Sequence, residues 1–279
     1  MLWNFPILII CLGIFFYWQN NGIMLNEINY RNPKIPDSFD DYKIIHISDL
    51  HNKSFGKNQK RLMDKIRKNK PDIIVITGDL IDQRRYDLNT AMEFVKKAVG
   101  ITDVYYVSGN HELWSGKYEE IKKTLQGEGV TVLDDQKSQI VIEEDSIEII
   151  GLSDPAFHNS YYEEIEKYGE LKNRLKKLID ESVFQILLSH RPELFELYAD
   201  AKVDLTFSGH THGGQFRIPL VGGIIAAGQG LFPIYINALY TKGDSTMVVS
   251  RGLGNSIIPI RIGNRPELVV VRLKKNYKK

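Results

Sequence analysis

Cysteine is almost absent, with Cys11 the single thiol in 279 residues. That excludes an intrachain disulfide and any cysteine cluster for zinc. Net charge is nearly absent too: 36 Lys and Arg against 35 Asp and Glu leave +1, so no broad basic field points to nucleic acid. The chain has no internal repeat and no low-complexity tract, and histidine is scarce, at seven residues. What is present is ordinary globular composition, 43% hydrophobic and 25% charged, long enough for one sizeable α/β domain with a full core.

Met1 to Trp18 is nearly all apolar and uncharged, interrupted by Asn4 and Pro6. A run of that length reads as a transmembrane helix, an anchor over residues 1–19. No basic residue precedes it and Gln19 to Leu25 offers no small-x-small site, which argues against a cleaved signal peptide. Arg31 and Lys34 follow it, and by the positive-inside rule they favour a cytoplasmic domain. Residues 20–41 are polar, carry Pro33 and Pro36, and read as a linker. Residues 42–273 form the domain. Residues 274–279 are a basic tail holding Lys274, Lys275, Lys278 and Lys279, a solvated segment able to touch anionic headgroups.

Within the domain, apolar runs at Tyr42 to Ser48, Asp72 to Thr77, Val104 to Ser108, Phe184 to Ser189 and Leu205 to Ser208 predict buried strands. Between them, apolar residues at helical spacing predict helices at Gln59 to Asn69, Leu88 to Val99, Lys117 to Gln126, Tyr162 to Ile179 and Glu193 to Tyr198. Short runs at Val130 to Leu133, Gln139 to Ile142 and Ile147 to Ile150, joined by acidic turns, suggest antiparallel pairing, and Thr246 to Ser250 and Leu268 to Leu273 are closing strands. Strands apolar on both faces need cover on both faces. The expected architecture is a four-layer α/β/β/α sandwich, two mixed sheets flanked by helices.

Five of these strands end in clusters of Asp, Asn or His: DLH after Ser48, GDLID after Thr77, GNHE after Ser108, His190 after Ser189, and GHTHGGQ after Ser208. The ends of strands in α/β sheets are where ligands bind. Asp49, His51, Asp79, Asn110, His190, His210 and His212 offer carboxylate, amide and imidazole donors without thiol, a set suited to Mn, Fe or Zn. Taken singly, each has a plain structural reading as a turn or core residue. His46, inside the first strand, reads as a packed core residue, and His158 as an incidental loop histidine beside the cleft.

Taken in order, DLH, GDLID, GNHE, SH and GHTH make the chain similar to the calcineurin-like metallophosphoesterase superfamily over Tyr42 to about Leu273. The segment IIHISDLH, with GHTHGGQ and GLGNSIIPIRIGNRPEL, resembles its membrane-associated bacterial phosphodiesterase branch. The resemblance implies two divalent metal ions. Asp49, His51, Asp79 and His212 would hold the first, and Asn110, His190 and His210 the second, with Asp79 bridging. It further implies a bridging hydroxide as nucleophile, His111 as the proton donor to the leaving group, and Asp82 as the carboxylate that orients His111.

Ile218 to Ile236 is almost free of charge and directly follows the last motif. It reads either as core packed over the sheet or as an apolar lip beside the metals that receives an acyl chain or enters the bilayer. The implied function is a membrane-anchored phosphoesterase for phosphodiester or pyrophosphate bonds, acting on a lipid-linked or envelope substrate, with the domain on the outer face by resemblance to exported members. A tethered enzyme for a soluble substrate and a non-catalytic scaffold are the alternatives. Nucleic acid is not expected as a partner, and the oligomeric state is unspecified.

Overall fold

A computed structural model describes residues 4–157, 164–218, 221–255 and 259–276. Helix α1 (Asn4–Asn21) precedes β1 (Met24–Asn32), β2 (Lys43–Ile47), α2 (Lys60–Asn69), β3 (Ile73–Thr77), α3 (Leu88–Val99), β4 (Asp103–Val107), α4 (Asn110–Trp114), α5 (Tyr118–Gly127) and β5 (Thr131–Val132). The hairpin β6 (Gln136–Ile142) and β7 (Asp145–Leu152) leads through α6 (Glu164–Leu178) to β8 (Phe184–Ser189), then through α7 (Phe195–Asp200) to β9 (Leu205–Ser208). Two small ribbons follow, β10 (Arg217–Ile218) with β11 (Gly222–Gly223) and β12 (Ile225–Ala226) with β13 (Gly230–Leu231). The chain continues through β14 (Ala238–Lys242), β15 (Ser245–Val249) and β16 (Glu267–Lys275).

The long strands form two mixed sheets, ordered β1-β16-β2-β3-β4-β5 and β14-β15-β9-β8-β7-β6. Strand β2 shows why both faces are apolar. Ile44 points into the core between the sheets with Val75, Ile186, Phe207 and Val271, while Ile45 and Ile47 point outward beneath α2 and α3 with Leu62, Ile66 and Phe94. The period of two puts alternate side chains on opposite faces, and each face finds apolar cover. The second sheet is covered in the same way by Leu171 and Leu175 of α6 and by Phe195, Leu197 and Tyr198 around α7. His46 lies on the inner face, its Nε2 2.8 Å from Thr77 Oγ1 and its ring edge-on to Phe207. Burial pushes its pKa down to about 3, so it packs as a neutral side chain.

Strands β2, β3, β4 and β5 run parallel, as do β7, β8, β9 and β15. Parallel pairing carries the C-terminal ends of neighbouring strands to one edge, and the motif-bearing turns all leave from such ends.

Several expectations need correction. The stretch read as a linker, 20–41, supplies strand β1, paired in parallel with β16 from Met24↔Glu267 to Asn32↔Lys275. Its apolar signal is sparse because an edge strand needs only alternate residues inside: Ile28 and Tyr30 are buried, and the Tyr30 hydroxyl donates to Asp204 O at 2.9 Å. Val130 to Leu133, grouped by pattern with the antiparallel strands, contributes β5 to the first sheet, parallel to β4. Lys274 and Lys275, assigned to a solvated tail, extend β16 and pair with Asp41 at 2.6 Å and Asp37 at 2.7 Å.

The N-terminal run does form a helix, but among the described residues no helix is long and apolar enough to cross a membrane. The helix ends in Gln19, Asn20 and Asn21. Among the described residues its apolar part, from Phe5 to Trp18, therefore rises only about 21 Å, against about 30 Å of hydrocarbon in a bilayer. It stands out from the domain, with Ile7, Ile14 and Tyr17 each more than half exposed. Its end is fastened: Arg261 N donates to Asn20 Oδ1 at 2.8 Å, and the Arg265 guanidinium lies 4.3 Å from the centre of the Trp18 ring.

Candidate metal centre and active site

Loops from both sheets bring Asp49, His51, Asp79, Asn110, His190, His210 and His212 into one buried cup, each at most 7% exposed. Asp49 and His51 follow β2, Asp79 follows β3, Asn110 opens α4 after β4, His190 follows β8, and His210 and His212 follow β9. Three donor groups have ligand atoms close enough to share a cation among the described residues: Asp49 with His51 and His212, Asp79 with His190 and His210, and Asp79 with His51 and His111. Asp79 sits between them. Its Oδ2 is 3.6 Å from His51 Nε2 and 3.3 Å from His190 Nε2, while its Oδ1 accepts from His111 N at 2.9 Å. Asn110 Oδ1 lies 3.2 Å from His190 Nε2.

The donor set fits divalent cations on its own chemistry. His51 Nε2 faces His212 Nε2 at 3.1 Å, and His190 Nε2 faces His210 Nδ1 at 3.1 Å. Two imidazole nitrogens at that separation can share one proton at most, whereas a cation satisfies both lone pairs. His190 Nδ1 lies 2.7 Å from Thr77 O, so its N–H donates to the carbonyl and its Nε2 is turned toward the cup. Burial pushes the pKa of His51 down to about 3 and holds His210 and His212 well below the ordinary value. Neutral imidazole is the ligand form. Burial pushes Asp49 up to about 6, with the Asp79 charge adding to it. Burial would also raise Asp79, yet His190 and His51 hold it well below its usual range; the same pairing lifts His190 to about 10 against the effect of its own burial.

The backbone is strained to build this cup. Asp49, His51, Asp79, His210 and His212 all have φ between 46° and 68°, a left-handed region that costs non-glycine residues about 1–3 kcal/mol each. Glycine is required where chains touch. A Cβ on Gly209 would land on Ser48 Oγ and Asp49 Oδ2, so the turn carrying His210 passes directly over the Asp49 carboxylate.

His111 Nδ1 accepts from Gln83 N at 3.2 Å, which assigns its proton to Nε2, 4.0 Å from Asp79 Oδ2. Asp82 spends its carboxylate differently from the expectation. It caps the short helical turn by accepting from Arg84 N at 2.9 Å, and it pairs with Arg85 at 2.9 Å. The turn that Asp82 caps supplies the Gln83 amide, so the carboxylate acts on His111 through that backbone N–H. His158 lies outside the described residues.

Four side chains escaped the sequence reading. Glu112, fully buried, accepts from the backbone N–H groups of Asp79 at 2.9 Å, Leu80 at 2.8 Å, Ile81 at 3.3 Å and Gly109 at 2.9 Å. Burial, then the Asp79 charge, push its carboxyl up to about 7, and the Gly109 and Asp79 amides pull the other way. Glu112 stands three residues after the Gly109 N-cap and accepts from its N–H, the half of a capping box that a glycine N-cap permits. Arg191 forms a two-pronged pair with Asp154 at 2.7 and 3.1 Å and reaches to 3.0 Å from His210 Nε2. Arg261, fully buried, donates to Gly254 O and Asn255 Oδ1 and lies 3.4 Å from His212 Nδ1. Trp114, half exposed, sets its ring 5.7 Å from that of His111.

The cup opens into a cavity of about 380 Å³. Asp79, Asn110, His111, His210 and His212 line its floor, Arg84 and Trp114 line one wall, and Gln215, Ile225, Ala226 and Ala227 line another. The apolar segment after the last motif is therefore a rim and not core: Leu231, Phe232 and Ile234 are each about 70% exposed.

Residues 42–214 match the family model described as calcineurin-like phosphoesterase. The uncharacterized metallophosphoesterase YkuE of Bacillus subtilis (strain 168) is 32% identical over 263 residues, 92% of this chain and 88% of that protein. Phosphodiesterase YaeI of Escherichia coli (strain K12) is 27% identical over 252 residues, 88% of this chain and 87% of that one. Among solved structures, TT1561 of Thermus thermophilus aligns with a TM-score of 0.52 at 14% identity, over 76% of this chain and 90% of that one, a likeness of fold alone.

Glu112→Ala would orphan four buried amides. Urea unfolding of the metal-free protein should show a loss of about 2–4 kcal/mol, with bound metal reduced in parallel. A change below about 0.5 kcal/mol, the ordinary range for surface substitutions, would mean that Glu112 does not hold the Asp79 turn.

Proposed function

The chain belongs to the calcineurin-like phosphoesterase family and is a metal-dependent phosphoester hydrolase, and we propose that it acts at a membrane surface on a phosphodiester or pyrophosphate bond in a lipid-linked or envelope substrate. One observation carries the reading: the cavity over the metal-ligand cup is walled by Ile225, Ala226 and Ala227 of the apolar rim. A substrate seated with its phosphorus at the cup would lay its remaining part along that rim.

In this reading Asp49, His51, Asp79 and His212 would hold one divalent ion, and Asp79, Asn110, His190 and His210 the other. The nitrogen and oxygen donors suit Mn, Fe or Zn. When bound, such ions lower the pKa of water and offset charge on phosphoryl oxygens. The chain's own groups do the rest. Glu112 fixes the Asp79 turn, Gln83 N fixes the His111 tautomer, and His111 Nε2–H faces the cup, placed to protonate the departing oxygen. The similar E. coli protein is a phosphodiesterase, which supports diester or anhydride cleavage over monoester cleavage.

Helix α1 supports attachment to a membrane. A helix apolar on all sides belongs in a core or a bilayer, and Ile7, Leu8, Ile10 and Ile14 are all more than half exposed. The short span suits insertion with Tyr17 and Trp18 at the interface. We place the catalytic domain on the outer face.

Three measurements test this. His111→Ala should lower kcat on bis-p-nitrophenyl phosphate by about 10²- to 10⁴-fold with metal content retained; an unchanged kcat would remove His111 from proton transfer. Ile225→Asp with Phe232→Asp should weaken sedimentation with vesicles and turnover of an acylated diester. If both survive, the rim does not meet lipid. A cysteine added near Lys279 should react with an impermeant maleimide in whole cells, and labelling only after lysis would reverse the orientation.

A further inference from the structure

Arg84 is the one arginine among the described residues that line the cavity, and its neighbours near the cup are engaged elsewhere. Arg85 pairs with Asp82, and Arg191 pairs with Asp154. Arg84 lines the cavity beside Asp79, Asn110 and His111, and among the described residues its guanidinium has no carboxylate partner. Its backbone is nonetheless fixed, because Arg84 N donates to Asp82 Oδ1 at 2.9 Å and the preceding residue, Gln83, donates to His111 Nδ1 at 3.2 Å. One short turn therefore places both the imidazole assigned to the leaving oxygen and a guanidinium free for a ligand. Trp114 stands on the same wall, its ring 5.7 Å from that of His111.

We propose that Arg84 forms a leaving-group subsite for a second phosphate, so that the preferred substrate is a phosphoanhydride diester, P–O–P, over a simple diester. The assignment rests on the phosphoesterase reading and deepens it. In the reaction the oxygen of water bonds to the attacked phosphorus, and the bond from that phosphorus to the bridging oxygen breaks. The bridging oxygen leaves on the second phosphate, whose charge grows from one negative toward two, and the protons of water pass to solvent as both monoesters ionise. A guanidinium at that phosphate meets charge where it develops, which favours the transition state over bound substrate. Its planar fork matches two phosphate oxygens, which the ammonium of lysine does not. The His111 proton serves an alkoxide leaving group, and Arg84 serves a phosphate, so the two neighbours divide the leaving groups by charge.

The test compares two substrates of the metal-loaded full chain: diadenosine 5′,5″-diphosphate, whose leaving group is a phosphate, and bis-p-nitrophenyl phosphate, whose leaving group carries none. Arg84→Ala should lower the ratio of kcat/KM for the first over the second by roughly 10- to 100-fold, the worth of a charged hydrogen bond. Arg84→Lys should restore part of it. Arg84 is exposed on the surface turn, so the fold should persist, with a thermal midpoint matching the parent. A ratio within about twofold of the parent for Arg84→Ala, whether or not both rates fall, would overturn the assignment alone. Absence of turnover of both substrates by the unmutated protein would overturn the phosphoesterase reading and this assignment with it.

Discussion

The carboxylate of Asp79 is the point where the two sheets meet chemically. Its Oδ2 stands between an imidazole from the first sheet, His51, and one from the second, His190, at 3.6 and 3.3 Å. Its Oδ1 and the amides of its turn are tied to α4, which follows β4, through His111 N and Glu112. If that carboxylate shifted, the donors of the two halves would no longer face a common space. The inter-sheet core supplies the rigidity: residues such as Val75 and Phe207 fix the strands whose ends carry the donors, and close packing transmits any displacement.

The cup is costly to build. Five left-handed non-glycine residues, two buried carboxylates and a set of buried imidazoles are gathered in one place, each a destabilising choice for a fold alone. A divalent ion held by these donors would offset those costs at once. Bound there, it would neutralise Asp49 and Asp79 and satisfy nitrogen lone pairs that otherwise face each other. Folding and metal binding would therefore be coupled, and the strain lies in the turns that carry the donors.

The cavity above the cup is divided by chemistry. The wall from α4 and the Asp82 turn presents His111, Arg84 and Trp114, and the wall from β12 presents Ile225 to Ala227. The same division continues outside, where the exposed rim at Leu231 to Ile234 and the exposed helix α1 form apolar surface. The end of α1 is linked to the centre through Arg261, whose backbone bonds Asn20 and whose guanidinium reaches 3.4 Å from His212. The end of α1 and the metal-ligand cup thus share one loop.

The sequence by itself determined the strands, because continuous apolar runs such as Ile73 to Ile76 are buried on both faces whichever neighbours they find, and it determined which residue types stand at strand ends. It also carried the order of the motifs on which the family rests. It was silent wherever a role depends on partners distant in the chain. Residues 24–32 became a strand because β16, more than 200 positions later, offers an edge to pair with. Glu112 became a clamp because the β3 turn presents amides to it, and Asp82 took Arg84 N and Arg85 in place of the imidazole. Local patterning records how each segment meets water and core, whereas the partner of a buried polar group is chosen only when the sheets close.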